Sequence, residues 1–200
     1  MKPDHDSNTA ETFSPSMSAT LADIYSFLAL LMRYPEESFF DDEILDTLED
    51  LLKSLDLQPY QERIAYWRSS VADQLLDAQV EYTRLFINGA PHVIAPPYGS
   101  VYLEGEQSLQ GKSTETTRDF YRQYGFDIVN NAEPADHISL ELEFLSCLYR
   151  QEEITAAEKF LHTFFRPWFE PFYQQLMPEL RHPLYEVSMQ LISFFVQEDQ

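Results

Sequence analysis

The sequence Gly111-Lys112-Ser113 is the first pattern in this 200-residue chain that suggests phosphate chemistry. A phosphate-binding loop places another glycine five residues before its second one, and helix N–H groups then cradle the phosphates. Here that position is Glu106, and its carboxylate and that of Glu104 would repel phosphate. We therefore predict a turn with Ser113 as the N-cap of a helix, and nucleotide hydrolysis remains an alternative.

The neighbouring residues Asp136 and His137 could be an acid–base pair. Adjacent residues at the start of a helix do not face one another, and the chain has no nucleophile motif of the G-x-S-x-G type. We predict that Asp136 caps the following helix and that His137 hydrogen-bonds across a junction in the fold. A binding role for both residues is the alternative.

Metal ligation has little support in the sequence. Glu141 and Glu143 are two residues apart and therefore lie on different faces of a helix. Cys147 is the only cysteine, so an intrachain disulfide and a thiolate metal cluster are excluded. The histidines are scattered without metal-site spacing: His5, His92, His137, His162 and His182. We expect no metal and no cofactor.

A proline-rich segment and many aromatic residues could serve in binding. Pro96-Pro97-Tyr98 resembles a proline-rich docking ligand but lacks the spacer residue before tyrosine, so an ordered turn inside the fold is the preferred interpretation. Helical spacing assigns most aromatic residues to a core. The alternative is an apolar groove formed by four aromatic side chains: Tyr82, Phe86, Tyr98 and Tyr102.

The elements that must position these residues are helices. Apolar residues recur every three or four positions, and Ser100–Leu103 is the only convincing alternating run, too short to build a sheet. The expected helices run from Leu21 towards Pro35, from about Asp42 to Leu55, over Tyr60–Phe86 with a possible break, from Ser113 to Gly125, from Asp136, over Thr155–Phe165, from Pro167 and from Pro183. We predict an all-α, compact, single-domain bundle of about eight to ten helices.

The loops divide this bundle. Residues 1–17 are polar and are predicted to form a flexible tail, and residues 18–200 to form one all-helical domain. All five glycines lie between Gly89 and Gly125, and we expect the segment 89–111 to be ordered against the helices. A break near 130–135 is a candidate hinge through which C-terminal helices could exchange between two chains.

The charge balance limits the possible partners. Thirteen Lys and Arg residues against 34 Asp and Glu residues give a net charge of −21, which disfavours nucleic acid and anionic membranes and favours a basic partner. No run of 18 apolar residues and no apolar N-terminal signal segment is present. We therefore expect a cytoplasmic protein without stable membrane insertion.

Three separated blocks resemble the DmsD/TorD/NarJ family of redox-enzyme maturation chaperones, nearest its DmsD and TorD branches. The blocks are Glu81-Tyr82-Thr83-Arg84-Leu85-Phe86-Ile87-Asn88-Gly89, Ala95-Pro96-Pro97-Tyr98-Gly99-Ser100-Val101-Tyr102-Leu103-Glu104, and Glu133-Pro134-Ala135-Asp136-His137 with Glu141. The similarity covers roughly residues 20–196. Tyrosines stand at 82, 98 and 102, where DmsD-type proteins tend to carry tryptophan.

The resemblance implies an all-helical, non-catalytic cytoplasmic chaperone. Such proteins bind the twin-arginine signal peptide, or the body, of an apo molybdoenzyme of the dimethyl-sulfoxide or trimethylamine-N-oxide reductase type until its cofactor is inserted before export. They occur as monomers and as domain-swapped homodimers. The implied signal-peptide-binding residues are Tyr82, Leu85, Phe86, Pro96, Pro97, Tyr98, Ser100, Tyr102, Glu104, Asp136, His137 and Glu141. Besides the nucleotide hydrolase, an acidic scaffold that pairs with a basic protein through charge remains an alternative.

Overall fold

The computed structural model describes residues 15–89, 93–104, 111–129 and 133–197, and this part of the chain contains ten α-helices and no strand. The helices are α1 (Pro15–Leu31), α2 (Asp42–Ser54), α3 (Gln58–Ser70), α4 (Gln74–Tyr82), α5 (Gly99–Leu103), α6 (Lys112–Gln123), α7 (Ile138–Arg150), α8 (Ile154–Phe160), α9 (Arg166–Leu176) and α10 (Pro183–Val196). Thr83–Ile87 and Leu161–Phe165 are π-helical, and Met177–Glu179 is a 3₁₀ turn. The predicted all-α fold is confirmed.

Helices α1 and α7 form the centre of the bundle and pack along each other. Tyr25 of α1 stacks on Tyr149 of α7 with ring centroids 5.4 Å apart. The Tyr25 hydroxyl donates a hydrogen bond to the Phe195 carbonyl at 2.7 Å, which ties α10 to this pair. Because this buried hydroxyl has a partner, the tyrosine lies in the core without an unsatisfied polar group.

Helix α2 shows why a strongly acidic segment can still fold. Three leucines on one face are buried: Leu45, Leu48 and Leu52. On the other side, Arg68 of α3 donates to Asp42 at 3.1 Å, Asp46 at 2.6 Å and Glu49 at 2.9 Å. One guanidinium therefore neutralises part of the acidic face and holds α2 against α3.

Helix α6 ends where the sequence predicts, but its N-cap lies two residues earlier than predicted. Gly125 has φ of +73°, and hydrogen bonds from Phe126 N to Tyr121 O and from Gly125 N to Arg122 O complete a Schellman motif. At the other end the N-cap is Gly111, and Ser113 lies inside the first turn. The predicted N-cap role of Ser113 is wrong, because the Glu104 side chain, nine residues earlier, accepts the hydrogen bond from the Ser113 N–H.

Other boundaries also differ from the sequence-based expectations. The predicted short alternating run at 100–103 belongs to helix α5, because its N-terminal N–H groups find acceptors on another segment. Helix α1 begins at Pro15, and residues 1–14 of the expected tail lie outside the described residues. So do residues 90–92 and 105–110 of the glycine-rich segment and residues 130–132 of the predicted hinge.

Candidate functional site

The second and third sequence blocks meet side by side in the structure. Tyr98 and His137 form an isolated antiparallel bridge. On either side of it, the Ile138 N–H donates to the Pro97 carbonyl at 3.0 Å and the Gly99 N–H donates to the Asp136 carbonyl at 2.9 Å. The described segment 93–104, which we call the strap, is thereby fixed to the start of α7. Pro97 is buried and Pro96 half-buried, so this turn is part of the fold.

Asp136 caps a different helix from the one predicted. Its Oδ2 atom accepts a hydrogen bond from the Ser100 N–H at 2.6 Å, in the first turn of α5. The N-cap of α7 is instead His137, whose Nδ1 accepts from the Ser139 N–H at 3.3 Å. The prediction that Asp136 caps the helix that follows it is therefore wrong, because its carboxylate turns back onto the strap.

His137 is held in its neutral form. Its side chain is 3% exposed, its Nδ1 lies 2.8 Å from the Ser139 hydroxyl, and its ring packs against Tyr98 with centroids 5.0 Å apart. Burial, and secondarily the charge of Arg33, lower the pKa of His137 to about 4. The prediction that His137 hydrogen-bonds across a junction is wrong for its side chain, because its partner is the neighbouring Ser139. The contact of its side chain with the strap is the packing of its ring against Tyr98.

Glu141 lies behind the strap on α7. Only 1% of this residue is exposed, and its Oε2 accepts a hydrogen bond from the Trp168 indole N–H at 2.8 Å. Burial raises the pKa of Glu141 well above its usual range, the hydrogen bond from Trp168 opposes this, and the charge of Asp136 adds to it. The side chain is therefore enclosed and does not face solvent.

Several buried polar atoms where the strap meets the start of α7 have no hydrogen-bond partner. Six unpaired buried atoms occur in the described residues, and four of them lie on the strap or at the start of α7: Ser100 Oγ, Tyr102 Oη, Asp136 Oδ1 and Glu141 Oε1. The other two, Thr114 Oγ1 and Arg118 Nε, lie on α6. Buried polar groups normally form hydrogen bonds, so four unpaired atoms on two segments that meet mark a place where the packing is not optimised for stability alone. This is the polar part of the candidate site.

Three of the predicted apolar contact residues lie in the core. Tyr82, Leu85 and Phe86 are at most 4% exposed. The Tyr82 hydroxyl donates to the Met32 carbonyl at 3.3 Å, and Phe86 stacks on Phe172 at 6.4 Å. The described structure therefore brings these side chains close to the strap but does not present them to solvent.

The accessible members of the predicted set lie on the strap. Tyr98 is half-buried, and its hydroxyl donates to Glu133 Oε2 at 2.8 Å. Tyr102 is half-buried and stacks on Trp168 with centroids 6.1 Å apart. Tyr98 and Tyr102 are thus partly exposed to solvent, unlike Tyr82, Leu85 and Phe86.

Glu104, at the end of the strap, binds the Gly-Lys-Ser turn at the start of α6. Its Oε1 accepts hydrogen bonds from both the N–H and the hydroxyl of Ser113, each at 2.6 Å. These bonds, together with a backbone hydrogen bond and the charge of Lys112, lower the pKa of Glu104. A carboxylate therefore occupies the helix start that a nucleotide phosphate would need, which argues against the hydrolase alternative.

The sequence analysis did not identify Trp168 as part of this site. A Cβ atom on Gly99 would lie 3.0 Å from Trp168 Cδ1, so the strap backbone rests directly on the indole ring. The glycine after Pro-Pro-Tyr was the available signal for such a close approach. The partner residue could not be identified, because Trp168 is far along the chain.

No group of three His, Cys, Asp or Glu side chains in the described part of the chain is placed to hold a metal ion. None of the described helices has the length and apolar character needed to cross a bilayer.

Comparison with known proteins places these features in a family. The nitrate reductase delta subunit family model matches residues 40–174, more than half of the chain. The chain is 27% identical over 139 residues to the chaperone protein TorD of Psychrobacter sp. strain PRwf-1, covering 64% of this chain and 62% of that protein. It is 33% identical over 113 residues to the Tat proofreading chaperone DmsD of Salmonella typhimurium, covering 55% and 54%. These alignments span little more than half the length of each curated relative.

A solved structure extends the comparison over nearly the whole chain. A crystal structure from Archaeoglobus fulgidus, described as a candidate redox enzyme maturation protein, superposes with a TM-score of 0.61 at 27% identity. The match covers 95% of this chain and all of that one. The resemblance seen in the three sequence blocks is thereby confirmed, and the chain belongs to the nitrate reductase delta subunit family, together with the TorD and DmsD chaperones.

Proposed function

We propose that this protein is a cytoplasmic maturation chaperone that binds the twin-arginine leader, or the apo form, of a molybdoenzyme of the dimethyl-sulfoxide or trimethylamine-N-oxide reductase type. It holds that client back until the cofactor has been inserted and then releases it for export. The observation that carries the proposal is the meeting of the strap with the start of α7 over four unpaired buried polar atoms. The proposal is supported by family membership and by the names of the relatives.

The physical character of the chain fits such a client. A leader combines arginines with an apolar stretch, so it needs acidic groups and apolar surface close together. The net charge of −21 attracts the cationic part, and the accessible faces of Tyr98 and Tyr102 offer apolar contact on the strap. Strap residues Pro96 and Glu104 flank these rings. The buried members of the predicted set act in this proposal by holding the strap in place.

The test is titration calorimetry with leader peptides from molybdoenzymes encoded in the same genome. Wild-type protein should bind them more tightly than versions in which both arginines are replaced by glutamine. The Tyr98→Ala variant should weaken binding without changing its salt dependence, because the lost contact is apolar. Equal binding of the two peptides would contradict the proposal.

The acidic scaffold is a second candidate because of the large net charge. Charge-only pairing would disappear entirely at moderate salt, since exposed ion pairs are screened. Leader binding that keeps its apolar contribution at the same salt concentration argues for the chaperone. For the assembly, we expect a monomer together with some domain-swapped homodimer, in which two chains exchange C-terminal helices through residues near 130–135. Light scattering measures the proportion of the two species.

A further inference from the structure

Two buried carboxyl groups lie against the same part of the strap. Asp136 Oδ2 accepts the Ser100 N–H at 2.6 Å. Glu141 Oε2 accepts the Trp168 indole N–H at 2.8 Å, and a Cβ atom on Gly99 would lie 3.1 Å from that same indole nitrogen. The two carboxyl groups, which we call the carboxyl pair, therefore hold adjacent strap residues, one directly and one through the indole.

The carboxyl pair has no cationic partner within the described residues. Asp136 and Glu141 are each 1% exposed, and the second oxygen of each accepts no hydrogen bond. Two negative charges buried together without a cation are strongly unfavourable, whereas a single proton removes one of them. A protonated Glu141 also gains an O–H donor, and unpaired buried oxygens are present on the adjoining residues: Asp136 Oδ1, Ser100 Oγ and Tyr102 Oη.

The environment of Glu141 identifies it as the member of the pair that holds the proton. Burial raises the pKa of Glu141 well above its usual range, the hydrogen bond from Trp168 opposes this, and the charge of Asp136 adds to it. Tyr121 of α6 interacts with both carboxyl groups. Burial raises the pKa of this tyrosine well above its usual range, so it stays neutral and supplies no charge to the pair.

The other charged and titratable groups on the surrounding elements do not neutralise the pair either. Burial raises the pKa of Tyr102 on the strap and lowers the pKa of His137 to about 4, so both are neutral near pH 7. Three guanidinium groups lie on α1, α6 and α9, and each is engaged elsewhere: Arg33 with Glu143, Arg118 with Glu115, and Arg166 with the Val196 carbonyl.

We propose that Glu141 carries a proton while the strap is closed, and that the strap opens more readily once this proton is lost. Opening parts Gly99 and Ser100 from the start of α7, lets water reach the carboxyl pair and releases the proton to solvent. We call this arrangement the proton latch. It rests on the proposed function for its role, because the strap carries Tyr98 and Tyr102, the surface assigned to the client. Loss of the proton thus favours release of the client.

The sign of the pH dependence follows from the two states of Glu141. Once water reaches the carboxyl group, its pKa approaches the ordinary value of about 4.3. Between this value and the raised pKa of the closed state, opening releases a proton, so the opening equilibrium constant rises with pH by up to about tenfold per pH unit. His137, whose ring packs against Tyr98, acts in the opposite sense, because its protonation favours opening below about pH 6.5.

The test is native-state hydrogen exchange of the full chain, followed by NMR from pH 5 to pH 8. The reporters are the amides that join the strap to α7: Gly99, Ser100 and Ile138. We compare wild type with Glu141→Gln, which keeps the acceptor for Trp168 but cannot ionise. The ratio of their protection factors, wild type over variant, should fall by roughly tenfold or more with rising pH. His137 is present in both proteins, so its contribution cancels in this ratio.

Two controls show whether the opening is local and belongs to Glu141. Glu143→Gln removes a half-buried carboxyl group from the same helix and should keep the pH dependence of wild type. The amide of Leu145, in the buried middle of α7, should exchange more slowly than the reporters. A reporter ratio that stays constant from pH 5 to pH 8 would overturn the latch, as would reporters that exchange only together with Leu145. Reporter protection that rises with added potassium or calcium at constant pH would also overturn it, since a cation would then neutralise the pair.

A peptide separates the latch from the proposed function. A synthetic peptide with two adjacent arginines before an apolar stretch should slow exchange of the reporters more than its counterpart with both arginines replaced by glutamine. If the two peptides act equally while the pH dependence of the ratio is present, the proposed function fails and the latch stands. If the peptides differ while the ratio is independent of pH, the latch is wrong and the proposed function stands.

Discussion

Replacing His137 by asparagine should change how the stability of the fold depends on acid. His137 is buried, its Nδ1 accepts the Ser139 N–H, and its pKa is lowered to about 4. In the unfolded chain a histidine has a pKa of about 6.5. Between about pH 6.5 and pH 4 the unfolded chain therefore binds a proton that the folded protein does not bind.

The sign and size of the effect follow from this difference. The stabilisation from neutral His137 is complete above about pH 6.5 and is lost as the pH falls towards 4. The loss is about 1.4 kcal/mol per pH unit, or roughly 3 kcal/mol over the whole interval. Asparagine can cap α7 and carries no titrating group in this range. The stability advantage of wild type over His137→Asn should thus shrink by roughly 3 kcal/mol between about pH 7 and pH 4.

Urea unfolding followed by circular dichroism at a series of pH values measures this difference. Carboxylates that titrate in both proteins cancel when the two free energies of unfolding are subtracted. His162→Asn, at an exposed position, controls for the loss of a histidine as such. A difference between wild type and His137→Asn that stays constant from pH 7 to pH 4 would refute the reasoning.

Further predictions concern the same site. Glu141→Gln keeps an acceptor for the Trp168 indole and removes a carboxyl whose pKa is raised in the fold. In wild type, the Glu141 carboxyl of the unfolded chain ionises as the pH rises above about 4.3, before that of the folded protein does, and this lowers the stability of the fold. The stability of the variant relative to wild type should therefore increase with pH. Thermal unfolding from about pH 5 to pH 8 measures this, and a pH-independent difference would count against it. Gly111→Ala places a Cβ atom 1.9 Å from Glu104 Oε2, so the carboxylate must leave Ser113 and the midpoint of thermal unfolding should fall by a few degrees. An unchanged midpoint in calorimetry would show that this cap adds nothing.

The helices could be predicted from sequence because their signals are local. Apolar spacing, the glycine that ends α6 and the proline that begins α10 all act within one or two turns of the chain. The break inside the third predicted helix is also local, since Asp73 caps α4 with its own side chain. The order of elements and the fold class therefore follow from the sequence.

The arrangement of the site could not be predicted because its contacts join distant residues. Asp136 caps α5 across 36 residues, and Trp168 reaches Glu141 across 27. Periodicity cannot show whether an aromatic residue faces the core or a groove, and in this structure Tyr82 and Phe86 face the core. The sequence blocks identify which segments meet, whereas burial decides which of their side chains a ligand can reach.

The most direct measurement of the proposed function is complex formation with a molybdoenzyme from the same genome, in two forms, on a size-exclusion column. We predict that the protein co-elutes with the apo enzyme that carries its twin-arginine leader and elutes separately from the cofactor-loaded enzyme without a leader. Equal co-elution with both forms, or with neither, would contradict the account.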